Sequence, residues 1–343
     1  MAGRGKEGIR LLVTGGAGFI GSNVVHTLLP RPEVARLVVL DSLTYAGHRP
    51  NLAAVEADPK FSFAEVDLRD AATVNELVSK KRFSHVMHLA AESHVDRSIT
   101  GPGVFVDTNV MGTFNLLEAC RDSWTGNWDD WRFLHVSTDE VFGSLGETGA
   151  FSETSPYQPN SPYSASKASV DHLVWAYFHT YNFPAIITNC SNNYGPYQFP
   201  EKLIPQTIHR AVIEQKIPVY GDGSNVRDWL FVEDHVEALW LALTNGNPGE
   251  SYNVGGSNEW TNLKVVEKIC DLVDKRLDRP QGTARELITF VDDRPGHDFR
   301  YAIDSGKIQR ELGWVPKHDF PQALALTIDW YLDNKVWVKR VMS

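Results

Sequence analysis

Residues 9–21 read Ile-Arg-Leu-Leu-Val-Thr-Gly-Gly-Ala-Gly-Phe-Ile-Gly. The apolar residues at the start predict a buried strand, and the pattern that follows Gly21 predicts a helix through Leu29. Gly15, Gly18 and Gly21 occupy every third position across the turn. This spacing allows a tight turn and a close approach of the backbone to a pyrophosphate, which the N–H groups of the helix then receive. In this context the stretch indicates a nucleotide-binding turn rather than a glycine-rich turn without a ligand.

Buried strands alternate with helical stretches over the first half of the chain. Further strands are predicted at 37–41, 61–66, 85–89, 133–136 and 185–190, and helices at 104–120 and 163–181. This alternation predicts an α/β protein with a Rossmann-like, doubly wound parallel sheet. After residue 190 the strands become shorter and the loops more polar. We therefore predict a dinucleotide-binding domain over 1–190, rejoined by part of 224–250, and a smaller substrate-binding lobe over 191–343.

An acidic residue ends the second predicted strand. Asp41 follows the last glycine of the turn by twenty residues. A carboxylate there can accept hydrogen bonds from both ribose hydroxyls of an adenosine, and it would repel a 2′-phosphate. The alternative interpretation is a solvated acid or a helix N-cap at the end of a strand. The spacing favours the first interpretation and predicts NAD rather than NADP.

The composition excludes several classes of partner. The formal net charge is −10, with 33 basic and 43 acidic residues, which argues against nucleic-acid binding. No apolar run reaches the length of a membrane span, and the first one leads directly into the glycine turn, unlike a signal peptide. The three cysteines are scattered and lack the spacing of metal ligands. We predict no metal site, no membrane association and a cytoplasmic location.

A hydroxyl and two adjacent acids follow the strand at 133–136. Thr138, Asp139 and Glu140 stand at its carboxyl end, where open α/β sheets bind their ligands. Tyr163 and Lys167 lie one turn apart on one face of a predicted helix. Two neighbouring carboxylates in a partly dry site tend to separate their pKa values, giving one neutral acid and one ionised base. Each pattern alone is common, but their joint occurrence predicts a catalytic set.

The glycine triplet and the Tyr163-xxx-Lys167 pair resemble the extended short-chain dehydrogenase/reductase superfamily. Within it, five stretches are similar to the dTDP-glucose 4,6-dehydratase family. These are Ser-Thr-Asp-Glu-Val at 137–141, Ala-Ala-Glu-Ser-His-Val-Asp-Arg-Ser at 90–98, Asn-Asn-Tyr-Gly-Pro at 192–196, Pro-Glu-Lys-Leu-Ile-Pro at 200–205 and Asp-Arg-Pro-Gly-His-Asp at 293–298. The resemblance runs from about Ile9 to the C-terminus. It departs at Phe142, where bacterial members usually carry tyrosine, and at 124–131, which looks longer here.

The resemblance implies an NAD-dependent lyase that acts on a nucleotide sugar. Lys167 would favour the phenolate of Tyr163, which removes the proton of the sugar 4-hydroxyl as hydride passes from C4 to NAD⁺. Thr138 would hydrogen-bond that oxygen. Glu140 would then take the C5 proton and Asp139 would protonate the departing 6-hydroxyl. Return of hydride to C6 gives a 4-keto-6-deoxy sugar, and the resemblance alone assigns the proton to Asp139.

The residue patterns and the resemblance together assign binding residues. The predicted NAD site comprises Gly15, Gly18, Phe19, Ile20, Gly21, Asp41, Asp67, Leu68, Leu89, Ala90, Ala91, Ser93, Thr108, Tyr163 and Lys167. The predicted nucleotide-sugar site comprises Ser93, Thr138, Asn193, Lys202, Leu203, Arg227, Asn262, Arg294 and His297. A surface salt bridge is the ordinary alternative for each cation taken alone. The resemblance also implies a homodimer, joined through the helices at 104–120 and 163–181 as a four-helix bundle.

Three alternatives stay open at this level. The substrate is dTDP-glucose or UDP-glucose, since nothing in the sequence chooses between thymidine and uridine. An epimerase or decarboxylase on the same scaffold is the second possibility, although the intact Asp139-Glu140 pair counts against it. The third is a catalytically silent NAD-binding protein that senses redox state and binds a protein partner.

Overall fold

The computed structural model of the protein describes residues 8–125, 128–293 and 297–342. The strands are β1 (Ile9–Thr14), β2 (Val34–Asp41), β3 (Phe61–Glu65), β4 (His85–His88), β5 (Arg132–Thr138), β6 (Ala185–Cys190), β7 (Asn192–Tyr194), β8 (Ile217–Tyr220), β9 (Val226–Phe231), β10 (Ser251–Val254), β11 (Glu259–Thr261) and β12 (Ile288–Val291).

The helices are α1 (Phe19–Leu28), α2 (Ala71–Lys81), α3 (Val95–Thr100), α4 (Gly103–Phe105), α5 (Gly112–Ser123), α6 (Pro162–Tyr181), α7 (Leu203–Val212), α8 (Val232–Asn245), α9 (Asn262–Arg276), α10 (Gly306–Leu312), α11 (Phe320–Asp333) and α12 (Lys335–Val341). A π-helical segment, Val106–Met111, joins α4 to α5. Short 3₁₀ turns occur at Arg49–Val55, Trp128–Asp130, Asp139–Phe142 and Ala284–Leu287.

Seven strands form one sheet in the order β10-β6-β5-β4-β1-β2-β3, and every neighbouring pair is parallel. Helices cover both faces, and Leu11, Leu12 and Val13 of the central strand β1 are fully buried. The strand order reverses between β1 and β4. In such a sheet the crevice outside the carboxyl ends at the reversal point is where ligands bind. The predicted α/β class and the doubly wound parallel sheet are confirmed.

The helix α6 carries Tyr163 and Lys167, and its start is defined by a capping box. The Ser161 hydroxyl accepts from the Ser164 backbone N–H at 3.1 Å, and the Ser164 hydroxyl accepts from the Ser161 N–H at 3.1 Å. Pro162 occupies the first helical position, where its missing N–H costs nothing. This cap fixes the first turn of α6 and therefore the height of Tyr163 above the end of β5.

The stretch predicted as a helix over 104–120 is helical, but one of its turns is a π-helix. The Asn109 carboxamide accepts from the Glu92 N–H at 2.8 Å and donates to the Glu92 carbonyl at 3.0 Å and to Ser166 Oγ at 2.8 Å. The Thr113 hydroxyl donates to the Asn109 carbonyl at 2.5 Å. These contacts tie the widened turn to the loop after β4 and to α6. Apolar periodicity cannot predict them, because the partners are distant in sequence.

The second half of the chain contributes to both parts of the molecule. β7, β9 and β11 form a small sheet, β8 and β12 pair separately, and α7, α9 and α11 pack around them. In contrast, α8 packs on β5 and β6, and β10 completes the large sheet beside β6. The domain boundary at residue 190 stays a prediction. Among the described residues, no helix combines the length and apolar character needed to cross a bilayer.

Candidate active site

A cavity of about 730 Å³ lies at the carboxyl ends of the central strands. Every predicted site residue that the structure describes lines this cavity, except Asp139, which is buried beside it. Arg294 lies outside the described residues. The structure thus brings together the glycine turn, the acid pair, the Tyr163–Lys167 pair and the polar loops of the second lobe, which are separated by up to 280 positions in the chain.

The glycine turn has the geometry that a pyrophosphate requires. Gly15 has a φ of +69°, and a Cβ there would lie 2.7 Å from the Ala90 N. Gly18 precedes α1 with extended backbone and offers no side-chain cap to the N–H groups of the first helical turn. Uncapped N–H groups at a helix N-terminus favour an anionic group. The turn therefore fits the diphosphate of a dinucleotide.

Gly18 and Gly21 should contribute differently to the stability of the fold and to NAD binding, and this difference can be tested. A Cβ on Gly21 would lie 2.1 Å from the Gly15 carbonyl oxygen, whereas a Cβ on Gly18 would meet only Gly15 O at 3.3 Å and Ala46 O at 4.0 Å. Gly21→Ala is expected to lower the free energy of unfolding by about 2 kcal/mol through overpacking. Gly18→Ala is expected to change it by less than about 1 kcal/mol while weakening NAD retention. Denaturant unfolding and assay of co-purified NAD measure the two effects, and equal stability losses would contradict this assignment.

The Asp41 carboxylate is held at the edge of the cavity by the backbone. Its Oδ2 accepts from the Ala17 N–H at 2.9 Å and its Oδ1 accepts from the Leu43 N–H at 2.8 Å. Burial raises its pKa, and these two hydrogen bonds oppose the rise. Each oxygen retains a second lone pair for a hydroxyl donor. This arrangement fits the two hydroxyls of a ribose.

The two acids Asp139 and Glu140 differ in burial. Asp139 is 1% exposed, and its Oδ2 has no hydrogen-bond partner among the described residues, while Glu140 lines the cavity. Burial raises the pKa of Asp139 well above its ordinary value, and the charges of Glu140 and Asp228 raise it further against the opposing charge of Arg227. Burial therefore favours the protonated form of Asp139. An enclosed acid stands beside one carboxyl group that faces the cavity.

Tyr163 is buried at the floor of the cavity, where its ring packs edge-on against Phe105 at 6.4 Å between centroids. Burial raises the pKa of Tyr163 well above its ordinary value, and Glu140 raises it further, whereas a hydrogen bond with Thr138 lowers it. The predicted phenolate therefore has a desolvation penalty to overcome. A cation close to the phenol oxygen is the group that can offset that penalty.

Lys167 is the buried cation of this site. Its Nζ donates to the Val136 carbonyl at 2.8 Å and lies 3.3 Å from His135 Nε2. Burial lowers its pKa to about 8, while the charge of Asp171 acts in the opposite direction. Near neutral pH the side chain is an ammonium held against the end of β5.

The second lobe places polar side chains over the other end of the cavity. The Arg227 guanidinium donates to the carbonyls of Val226 at 2.7 Å and Asp298 at 2.9 Å, and it lies 4.5 Å from the centroid of the Tyr301 ring. The Lys202 ammonium donates to the Ser93 carbonyl at 3.3 Å.

Two amides and a histidine complete this end. Asn193 Oδ1 is 2.8 Å from His235 Nδ1, and Asn262 Oδ1 is buried with no hydrogen-bond partner among the described residues. His297 Nδ1 lies 2.5 Å from Asp293 Oδ1. An unpartnered amide oxygen that lines a cavity is suited to a donor group of a ligand.

Several lining residues were not predicted from the sequence. Phe199 lines the cavity and stacks on His48 at 5.3 Å between ring centroids. Other unpredicted lining residues are Gln206, Pro218, Tyr220 and Trp229. Gln206 lies on α7, Pro218 and Tyr220 lie on β8 and Trp229 lies on β9, and none of them belongs to a spacing typical of a ligand site. Phe142, the departure from the family pattern, does not line the cavity and stacks on Phe151 at 5.2 Å.

Fold and site together define a member of the extended short-chain dehydrogenase/reductase superfamily. A family model described as GDP-mannose 4,6 dehydratase matches residues 12–327. The dTDP-glucose 4,6-dehydratase of Xanthomonas campestris pv. campestris (strain B100) is 56% identical over 337 residues, which cover 97% of this chain and 95% of the relative. That of Neisseria meningitidis serogroup B is 54% identical over 342 residues, covering 97% and 96%. The chain belongs to the dTDP-glucose 4,6-dehydratase family.

A solved structure shows the same relationship. The dTDP-glucose 4,6-dehydratase of Streptomyces venezuelae, crystallised with NAD and TYD bound, superposes with a TM-score of 0.89. It is 46% identical in sequence, and the match covers 97% of this chain and all of that one.

Proposed function

We propose that the protein removes water from a nucleoside-diphosphate glucose, dTDP-glucose in the first instance, and yields the 4-keto-6-deoxy sugar with NAD as the bound cofactor. The observation that supports this most is the split acid pair. Dehydration across C5 and C6 needs a base for the C5 proton and an acid for the 6-hydroxyl. Asp139 is buried, which raises its pKa and favours its protonated form, and Glu140 beside it faces the cavity. Loss of water from C5 and C6 is not a step of epimerisation or decarboxylation, so the pair counts against an epimerase or a decarboxylase.

The other members of the set have roles in oxidation at C4. Tyr163 takes the proton of the 4-hydroxyl, and Thr138 hydrogen-bonds the same oxygen. Lys167 supplies the positive charge that stabilises the Tyr163 phenolate. Bound NAD supplies the hydride acceptor for this oxidation and the hydride that the sugar receives at C6. Because the hydride is returned, the cofactor is expected to stay bound between turnovers.

In this proposal NAD lies at the end of the cavity near the glycine turn, and the nucleotide sugar lies at the end near the second lobe. The N–H groups of α1 and the glycine turn hold the dinucleotide diphosphate, and Asp41 holds the adenosine ribose. Arg227, Lys202 and His297 stand at the sugar-nucleotide diphosphate, where cations are favoured. Asn193 and Asn262 supply amide groups to the phosphates or the base. The remaining predicted lining residues form the walls, and Arg294 stays a prediction from the sequence.

Turnover without added cofactor tests the function. The purified protein is incubated with dTDP-glucose and with UDP-glucose separately, and the masses of the products are measured by mass spectrometry. A product lighter by one water is expected from at least one of the two nucleotide sugars. The one that reacts faster identifies the nucleobase, thymine or uracil, that the site prefers. An isomer of unchanged mass would favour the epimerase. If neither sugar reacts even after NAD⁺ is supplied, the proposal is wrong and the silent binding protein is favoured.

We further propose a homodimer joined through α4 to α6. Apolar side chains are exposed on this surface, namely Val104 (40%), Val106 (51%), Met111 (48%), Phe114 (38%) and Tyr181 (45%). A cluster of exposed apolar side chains on adjacent helices is typical of a protein interface. Met111→Glu is expected to shift the protein from dimer to monomer in sedimentation, because the charge would be buried at the interface. Leu326→Glu, on a 53% exposed residue of α11, is the control and should leave the mass unchanged. The cytoplasmic location stays a prediction.

A further inference from the structure

A buried group of three titratable side chains lies directly behind Lys167. It consists of Lys167 itself, His135 on β5 and Asp171 on α6, one turn after Lys167. All three are at least 96% buried, and Asp171 is fully buried. Neither His135 nor Asp171 lines the cavity, and the proposed reaction gives them no part. A fully buried carboxylate is costly for the fold unless it is paired and hydrogen-bonded.

The geometry of the group directs one carboxylate oxygen of Asp171 toward His135, which lies next to Lys167. Asp171 Oδ2 accepts from Ser137 Oγ at 2.8 Å, from Tyr157 Oη at 2.9 Å and from Asn189 Nδ2 at 3.4 Å. Asp171 Oδ1 has no such donors and lies 3.2 Å from His135 Nε2. The same imidazole nitrogen lies 3.3 Å from Lys167 Nζ. His135 therefore stands between the ammonium and the carboxylate.

The charges of the surrounding groups single out Asp171. Four titratable groups interact electrostatically with the Lys167 ammonium. They are His88 on β4, His135 on β5, Cys190 on β6 and Asp171 on α6. Burial lowers the pKa of both histidines well below their usual value and raises that of Cys190 to about 12, so all three are neutral at pH 7. Burial raises the pKa of Asp171 to about 6 against the charge of Lys167, so Asp171 is ionised. Burial also raises the pKa of Tyr163, one turn before Lys167, and the proposed reaction requires its phenolate only in the oxidation step.

We propose that Asp171 is a positioning residue of the active site, whose carboxylate keeps Lys167 an ammonium held at the Val136 carbonyl, with neutral His135 between them. Burial alone disfavours the ammonium, yet the proposed oxidation step needs it beside Tyr163. The inference rests on the proposed function only for the role of Lys167 in the reaction. The charge state of Lys167 is a property of the folded chain and can be measured without a substrate.

Asp171→Asn tests the proposal, since it removes the charge and keeps the shape and one acceptor oxygen. Loss of a nearby negative charge lowers the pKa of Lys167 by about one unit or more, so the ammonium is lost at lower pH. The alkaline limb of the kcat profile is expected to move down by about one pH unit, with kcat falling about tenfold at pH 8.5 and less than about threefold at pH 6. Tyr157→Phe is the matched control, because it removes a donor to Asp171 but leaves the charge. Its alkaline limb should move by less than about 0.3 units.

A purely structural role for Asp171 would lower activity at every pH and leave the limb in place, and that result would overturn the proposal. A second measurement follows the Lys167 side chain by NMR in protein labelled with ¹³C-lysine, with the resonance assigned by its loss in Lys167→Met. In the wild type it should titrate near pH 8, and in Asp171→Asn at lower pH. A neutral Lys167 amine at pH 7 in the wild type would overturn the proposal even if Asp171→Asn fails to fold. This titration needs no turnover, so it separates failure of this inference from failure of the proposed function.

Discussion

Asp139→Asn is expected to reduce the dehydration rate by a factor of about 10² to 10⁴ while leaving oxidation at C4 in place. The side chain is 1% exposed and its pKa lies well above the ordinary value, and in the proposed reaction Asp139 gives the proton that the departing 6-hydroxyl needs. Asparagine fills the same space but cannot give up a proton. Single-turnover mixing with dTDP-glucose should therefore show the absorbance of the reduced nicotinamide, with almost no product lighter by one water.

The same substitution should stabilise the fold, and the effect should depend on pH. The folded-state pKa of Asp139 is raised, so folding must take up a proton wherever the unfolded carboxyl, with its ordinary value of 3.8, is ionised. This cost grows by at most about 1.4 kcal/mol per pH unit above pH 4 and stops growing above the folded-state pKa. Asp139→Asn is thus expected to raise the free energy of unfolding at pH 7 and to lose that advantage near pH 4. Denaturant unfolding at both pH values measures it.

Glu140→Gln is the companion variant for this prediction. It should also lose dehydration and keep oxidation, because it removes the base for the C5 proton. Its effect on stability should be smaller, since Glu140 faces the cavity whereas Asp139 is enclosed. If Asp139→Asn keeps more than about a tenth of the dehydration rate, the assignment of the acid is wrong.

Tyr163→Phe is expected to reduce oxidation at C4 by a factor of about 10² to 10⁴, and every later step with it. In the proposed reaction the phenol oxygen takes the 4-hydroxyl proton, and phenylalanine keeps the packing against Phe105 without that oxygen. Unlike Asp139→Asn, this variant should show neither reduced nicotinamide nor loss of water in a single turnover. The two variants together place the reaction steps in order.

Tyr177→Phe is the matched control. Tyr177 is buried on the same helix, but its hydroxyl donates to Glu118 Oε1 at 2.5 Å and it does not line the cavity. Activity within about threefold of the wild type is expected for it. An equal loss of activity in both variants would assign the effect to the packing of α6 rather than to chemistry at Tyr163.

The large parallel sheet and most of its strands follow from the sequence. Strands β1, β2 and β5 are short apolar runs that end at hydroxyl or acidic residues, so the sequence pattern of each strand is local. The glycine turn and the Tyr163–Lys167 spacing are local in the same way, because one turn of helix brings residues four apart together. For this reason the glycine turn, the acid pair and the Tyr163–Lys167 pair could be predicted without coordinates, whereas many other lining residues could not.

The tertiary structure decided what no local pattern contains. The π-helical turn at 106–111 depends on Asn109 reaching Glu92 and Ser166, and the charge balance at Asp139 depends on Arg227, some ninety positions away. The structure also shows that burial raises the pKa of Tyr163, which acts against the lowering predicted from the charge of Lys167.

The sequence by itself therefore determined the fold class, the nucleotide-binding turn and the identity of the candidate reactive groups. Only the tertiary structure showed that burial separates Asp139 from Glu140, and only it revealed Asp171 and His135 behind Lys167. Residue types and their spacing specify which groups are available. Their pKa values depend on desolvation and on charges within a few ångströms, and folding alone decides those.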